Sequence, residues 1–149
     1  MLRRLNDSLP RPVWLGWTVD PIFRVLTSLI FIIGGLGHFG QHQEMLARME
    51  ESPWHGLVVR IGDPSILLWL SGGIFVVFGI TLALGLLTRL SALLLFVTLV
   101  PITIAIHVAP GHVGPLFKNI AILGALLLLY VRGPGTFALD RKQTSPKGS

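Results

Sequence analysis

Residues 63–108 read DPSILLWLSGGIFVVFGITLALGLLTRLSALLLFVTLVPITIAIHV, and the fold turns on how this stretch is divided. From Ser65 to Val108 the only charged side chain is Arg89. Taken as one helix, residues 65–108 would run about 66 Å, twice the roughly 30 Å of a bilayer's hydrocarbon core. The chain must therefore reverse around Thr88-Arg89. That makes two spans, 65–87 and 90–108, joined by a tight hairpin with Gly85 as stop and Ser91 as start. Asp63-Pro64 is the start signal for the first of the pair: an acidic cap, then a proline whose missing N–H costs nothing in a first turn.

Working outward, residues 22–40 form another span, interrupted only by Arg24, and residues 116–131 a fourth. The fourth is short, about 24 Å at the standard rise, and Lys118 and Asn119 stand near its start. A lysine there must snorkel, or the bilayer must thin. The expectation is an all-α integral membrane four-helix bundle. It has an N-terminal arm over 1–21, a membrane domain over 22–141 and a tail over 142–149. Arg3 and Arg4 followed by an apolar run could mark a signal peptide. No A-x-A-like cleavage site closes the run, and its length suits a retained first span. The loop 41–64 should hold a helix over 41–51 continuing the first span, ended by Pro53. Leu57, Val58, Val59 and Ile61 should then lie in the membrane interface.

Composition sets the same class. Of 149 residues 52% are hydrophobic and 13% charged, against roughly 25% charged in soluble domains. The net charge of +5 sits at the edges of apolar blocks, with no basic patch interleaved with aromatics, which argues against nucleic acid as a partner. Cysteine is absent, which removes disulfides, thiolate metal sites and thiol relays. Nine basic residues (Arg3, Arg4, Arg11, Arg24, Arg89, Arg132, Arg141, Lys142 and Lys147) fall on one side of the spans, and Arg48, Arg60 and Lys118 on the other. The positive-inside rule then puts both termini in the cytoplasm. Gly72, Val76, Gly79 and Ala83 line one face of the second span, and Ala121 and Ala125 one face of the fourth. Small faces of this kind let helices approach in lipid, within the chain or toward a sister copy.

All five histidines, His38, His42, His55, His107 and His112, fall at or beyond the outer ends of the spans. His38 and His42 share a face at i,i+4 spacing, and a bundle could bring His107 to the same rim. Three readings stay open: interfacial histidines bonded to loop carbonyls and water, a pocket whose imidazoles bind a quinone carbonyl, or metal or haem ligation with Glu44 nearby. Arg24 either snorkels with Asp20 as a local partner or meets Asp140 or an anionic ligand inside the bundle. Arg89 reads as a positive-inside anchor. Pro101 frees the carbonyl of Val97, with Thr98 and Thr103 as nearby hydroxyls to satisfy it, and a kink there would open space below His107.

The run Gly85-Leu86-Leu87-Thr88-Arg89-Leu90-Ser91-Ala92-Leu93, the histidine closing the third span, Lys118-Asn119 with Leu126-Leu127-Leu128-Leu129, and the ending Gly133-Pro134-Gly135-Thr136-Phe137-Ala138-Leu139-Asp140 resemble the DoxX family of small bacterial membrane proteins. Arg24 and the glycine-rich end of the first span fit it too. The resemblance covers residues 22–141. It implies four spans in the inner membrane and a link to redox chemistry, since the family includes a membrane subunit of thiosulfate:quinone oxidoreductase. Two departures stand out: no glutamate near Phe75, and His38 where relatives often carry a basic residue such as lysine. The expected function is a quinone-linked redox subunit or accessory module working with a partner oxidoreductase subunit, with a homo-oligomer as a further expected assembly, and with His38, His107 and His42 lining an outer-rim pocket. Arg24, Arg89, Lys118, Asn119 and Asp140 are its structural polar residues. The rivals are a non-catalytic membrane anchor or assembly protein and a haem- or metal-binding protein using the rim histidines. A transporter fits poorly, because the spans carry no carboxylate.

Overall fold

The structure, a computed structural model, describes residues 12–108 and 113–140. The expectations placed on Arg3, Arg4, Arg11, His112, Arg141, Lys142 and Lys147 lie outside those residues. Six α-helices follow in order: α1 (Val13–Gly40), α2 (His42–Glu50), α3 (His55–Ile61), α4 (Pro64–Leu84), α5 (Thr88–Ile102), continued by a π-helical turn (Thr103–His107), and α6 (Val113–Arg132). Among the described residues four segments are long and apolar enough to cross a membrane: Gly16–Gly40, Pro64–Leu84, Thr88–His107 and Val113–Arg132. The α4–α5 turn lies at the same end of the bundle as the start of α1 and the segment after α6. This is the hairpin end; α2 and α3 sit at the opposite, loop end.

Lipid as solvent explains the surface. Leu70, Val77, Val97 and Leu127 are each more than half exposed, and the interior is a narrow seam of Phe31, Phe75, Leu82, Leu95 and Leu126. Such an exterior would aggregate in water but is the ordinary surface of a spanning bundle. Phe31 and Phe75 meet edge to face, with centroids 5.1 Å apart. The small face of α4 does meet α1. A Cβ on Gly72 would stand 2.8 Å from His38 Cβ, and one on Gly79 2.9 Å from Ile32. Backbone approach of this kind is what binds helices where burial supplies no driving force. Of the corresponding face of α6, Ala121 is exposed and Ala125 half-buried.

Several boundaries differ from the expected ones, each for a local reason. Helix α1 begins at Val13 rather than residue 22 and runs through Pro21. A proline there leaves the carbonyl of Trp17 without its amide, and Thr136 Oγ1 donates to that carbonyl at 2.6 Å. Gly85 ends α4 as expected, at φ +68° with Leu86 N–H bonded back to Thr81 O at 2.8 Å. Helix α5, however, starts at Thr88, not Ser91. Its first amide is capped from the far end of the chain: Asp140 Oδ2 accepts from Thr88 N–H at 2.8 Å. Ser91 is buried instead, its hydroxyl 2.8 Å from that of Thr81. Helix α6, with 20 residues, spans roughly 30 Å and needs no thinning of the bilayer.

The loop is two helices rather than one continuing α1, because Gln41 breaks the helix at φ −118°, ψ 32°. Met49 and Val58 bury themselves on Leu68, while Leu57, Val59 and Ile61 are exposed. Two loop side chains hold the layer to the end of α5: Ser52 Oγ donates to Ala105 O, and Trp54 Nε1 donates to Val108 O at 3.0 Å.

Candidate functional site

Under that loop layer, α3, α4 and α5 with its π turn enclose a groove of about 340 Å3 that opens sideways through Leu70, Pro101 and Ile104. Its walls are apolar. Among the described residues, Ser71 of α4 and Thr98 of α5 supply its only side-chain hydroxyls. Thr98 is spent within its own helix, donating to Leu94 O at 2.8 Å. Ser71 is different, because its hydroxyl is shared with a histidine from another span.

His38 is 6% exposed, and its Nδ1 lies 3.0 Å from Ser71 Oγ and 3.3 Å from Leu68 O. A carbonyl only accepts, so Nδ1 carries the hydrogen and Nε2 is the bare nitrogen. Ser71 Oγ also donates to Leu68 O, at 2.9 Å. The Leu68 carbonyl therefore has two donors, and the Ser71 hydroxyl can swing into the groove while His38 Nδ1–H keeps that carbonyl satisfied.

The expected histidine rim is thus placed differently. None of the four described histidines, His38, His42, His55 and His107, is among the residues lining the groove; His38 stands one hydrogen bond behind its wall. His42 lies one turn further out, Nε2 2.9 Å from Ser65 Oγ and its ring tilted against Trp69 with centroids 5.1 Å apart. His107 closes the π turn. Among the described residues no group of three His, Cys, Asp or Glu side chains stands together as a metal site would need. Glu44 makes a long exposed pair with Arg48 at 3.9 Å. The groove residues Ser71, Thr98 and Trp54 carried no site signal in the sequence. Ser71 was hidden next to the small face that includes Gly72.

The polar residues assigned structural roles divide between the two ends. Asn119 is buried and donates to Thr103 Oγ1 at 3.0 Å, whose own hydroxyl donates to Leu99 O at 2.7 Å; this pins the start of the π turn. Lys118 is exposed. At the hairpin end Arg24 is only 3% exposed, which overturns the snorkelling reading. Asp20 pairs instead with Arg132, at 3.8 Å. The Arg24 guanidinium donates to three backbone carbonyls, Ala83 (3.3 Å), Pro134 (2.5 Å) and Phe137 (3.3 Å). The segment after α6 therefore closes the hairpin end as a plug, with Arg24 as its latch. Arg89 lies across Gly133, its Nε 3.2 Å from where a Cβ would stand.

Asp140 does not pair with Arg24 through a hydrogen bond; it caps α5. The backbone amides of Leu87 and Thr88 hold its carboxyl below the usual carboxylate range. A lowered folded pKa means the cap contributes above the ordinary value of about 4 and is lost as pH falls through the folded value. At neutral pH, Asp140→Ala is expected to cost about 1 kcal/mol, as for other helix caps, and Asp140→Asn less. Unfolding followed from pH 6 down to pH 2 should show an acid loss in the wild type that the asparagine variant lacks.

A bundle of four spanning helices, capped at one end by a short two-helix loop and plugged at the other by its own chain, defines a multi-pass membrane protein. The chain belongs to the DoxX family, whose model matches residues 20–108. It is similar to inner membrane protein YphA of Escherichia coli (strain K12), 32% identical over 153 residues and covering 95% of this chain and 98% of the relative. It is also similar to inner membrane protein YqjF of the same organism, 31% identical over 123 residues, covering 80% and 88%. No solved structure matches it.

Proposed function

We propose that this DoxX-family protein is the membrane-embedded, quinone-binding module of an oxidoreductase, set in a bacterial inner membrane with both termini cytoplasmic and working with a partner subunit. The location follows the two inner-membrane relatives and the excess of basic residues at the hairpin end. One observation carries the ligand: a buried histidine–serine pair, His38 with Ser71, at the wall of an apolar groove open to lipid. The donor set fits the group. A lipid-soluble quinone needs apolar walls for its ring and tail and one turnable hydroxyl for its head.

When bound, a quinone supplies two-electron, two-proton carrier chemistry. The chain's own residues bind and orient it. Ser71 donates into the groove, His38 holds the Leu68 carbonyl that Ser71 releases, and Trp54 and Met49 exclude water from above.

The test is equilibrium binding in nanodiscs, read by fluorescence of Trp54 with Trp14, Trp17 and Trp69 changed to phenylalanine. Decylubiquinone should quench saturably in the protein that keeps Ser71. Ser71→Ala should weaken binding about three- to tenfold, the worth of one hydrogen bond. Quenching that rises linearly with quinone in the membrane, or is identical in Ser71→Ala, overturns the proposal.

A further inference from the structure

Residues 42–62 form a helical hairpin, α2 and α3, that lies over the groove and outside the four spanning segments. Both ends of the hairpin are tied to the start of α4. His42 Nε2 stands 2.9 Å from Ser65 Oγ at one end. At the other, Gly62 leads directly into Asp63, whose carboxylate accepts from the amides of Ser65 and Ile66. The tip, residues 51–54, reaches instead to the end of α5, where Ser52 Oγ donates to Ala105 O and Trp54 Nε1 to Val108 O. One edge of the hairpin is therefore held by the chain itself, and the opposite edge by two side chains. Its helices begin and end at the held edge, at the break on Gln41 and the extended Gly62.

The hairpin is also a wall between two environments. Glu44, Arg48, Glu50 and Glu51 are exposed, and charged side chains so closely spaced belong in water. Met49 and Val58 line the groove, and Trp54 does so while 38% exposed. Little keeps this wall shut. Within residues 42–62 only Met49 and Val58 are buried, and the tip adds its two hydrogen bonds. A segment with so few buried apolar side chains opens locally at a fraction of the cost of global unfolding. The bundle below is built otherwise. Phe31, Leu82, Leu95 and Leu126 are sealed in its seam, and Asn119 pins the start of the π turn.

We infer that this hairpin is a flap, hinged at Gln41 and Gly62, whose Ser52–Trp54 edge lifts from the end of α5 and opens the groove to water. The groove then has two entrances. The sideways opening past Leu70 and Ile104 serves lipid-soluble molecules, and the flap edge serves water and small polar ones. The flap concerns access alone, so its failure and the failure of the quinone reading are separate results.

The absence of cysteine makes the test direct, because a single introduced thiol has no competitor. Ala105→Cys puts one in the groove wall beneath the tip, and Ala92→Cys puts one in the sealed seam as a control. In nanodiscs each is labelled with a charged methanethiosulfonate, which does not enter through lipid, and with N-ethylmaleimide, which does. Rates are taken relative to Glu44→Cys, exposed on α2. With the flap intact the charged reagent should react far more slowly at position 105 than the maleimide. Removing both fastenings, Ser52→Ala with Trp54→Phe, should raise its rate there about ten- to a hundredfold, the worth of two hydrogen bonds. The maleimide rate at 105 should stay almost unchanged, and position 92 should stay unreactive. A charged-reagent rate at 105 that already equals the maleimide rate in the intact protein overturns the inference, as does a rate that the double variant leaves unaltered. A parallel rise at position 92 overturns it too, because the whole bundle would then have loosened.

Discussion

Replacing Arg24 with alanine should destabilise the bundle by about 3–5 kcal/mol, the largest effect of any single substitution proposed for this chain. The argument is one of donors. A guanidinium is a planar fork, and here it bonds three carbonyls that belong to two separated stretches, Ala83 on α4 and Pro134 and Phe137 on the plug. Alanine strands all three acceptors where the plug meets the bundle, and it also removes the positive charge placed between Asp20 and Asp140. Lysine keeps the charge but replaces the fork with a single point of donors, so Arg24→Lys should recover less than half of the loss. Denaturation in mild detergent measures the stability. Limited proteolysis within residues 133–140 reports whether the plug has come away. A variant Arg24→Ala within 1 kcal/mol of wild type, with the plug still protected, would show that the latch is ornamental.

Gly85→Ala comes second, at about 2–4 kcal/mol. Two effects add at this position. The residue sits at φ +68°, where any side chain is strained. A Cβ there would also stand 2.6 Å from Ala138 Cβ, 2.8 Å from Ala138 Cα and 2.9 Å from the Arg24 guanidinium carbon. The clash is with backbone as well as side chain, so the plug has to move. The same region loses Asp140 N–H to Gly85 O at 2.9 Å if it does. Thermal unfolding of Gly85→Ala should therefore show both a lower midpoint and earlier cleavage of the plug. A lower midpoint with an undisturbed plug would assign the cost to backbone strain alone.

The two ends of the molecule were unequally legible. The hairpin was readable because length forbids a single helix over residues 65–108, and Gly85 supplied the stop. The start of α5 was not readable, because its cap is Asp140, 52 residues away. Nor was the passage of α1 through Pro21, since the hydroxyl that makes it tolerable is Thr136, 119 positions on. At the loop end, His38 was visible as an unusual residue for a span. Its partner Ser71 was not, because a serine beside Gly72 reads as one more small residue for helix packing.

By itself, the sequence determined the solvent, the number of spans and the place of the reversal. These follow from runs of side chains too apolar for water and from the length a helix needs to cross a bilayer, both of which are sums over neighbouring residues. Only the tertiary structure decided which polar groups meet. Arg24 found carbonyls instead of Asp20, Asp140 found an amide instead of Arg24, and His38 found Ser71, a serine with no site signal of its own. In a medium without water every donor and acceptor must be matched inside the protein, and the match depends on positions brought together by folding rather than on spacing along the chain.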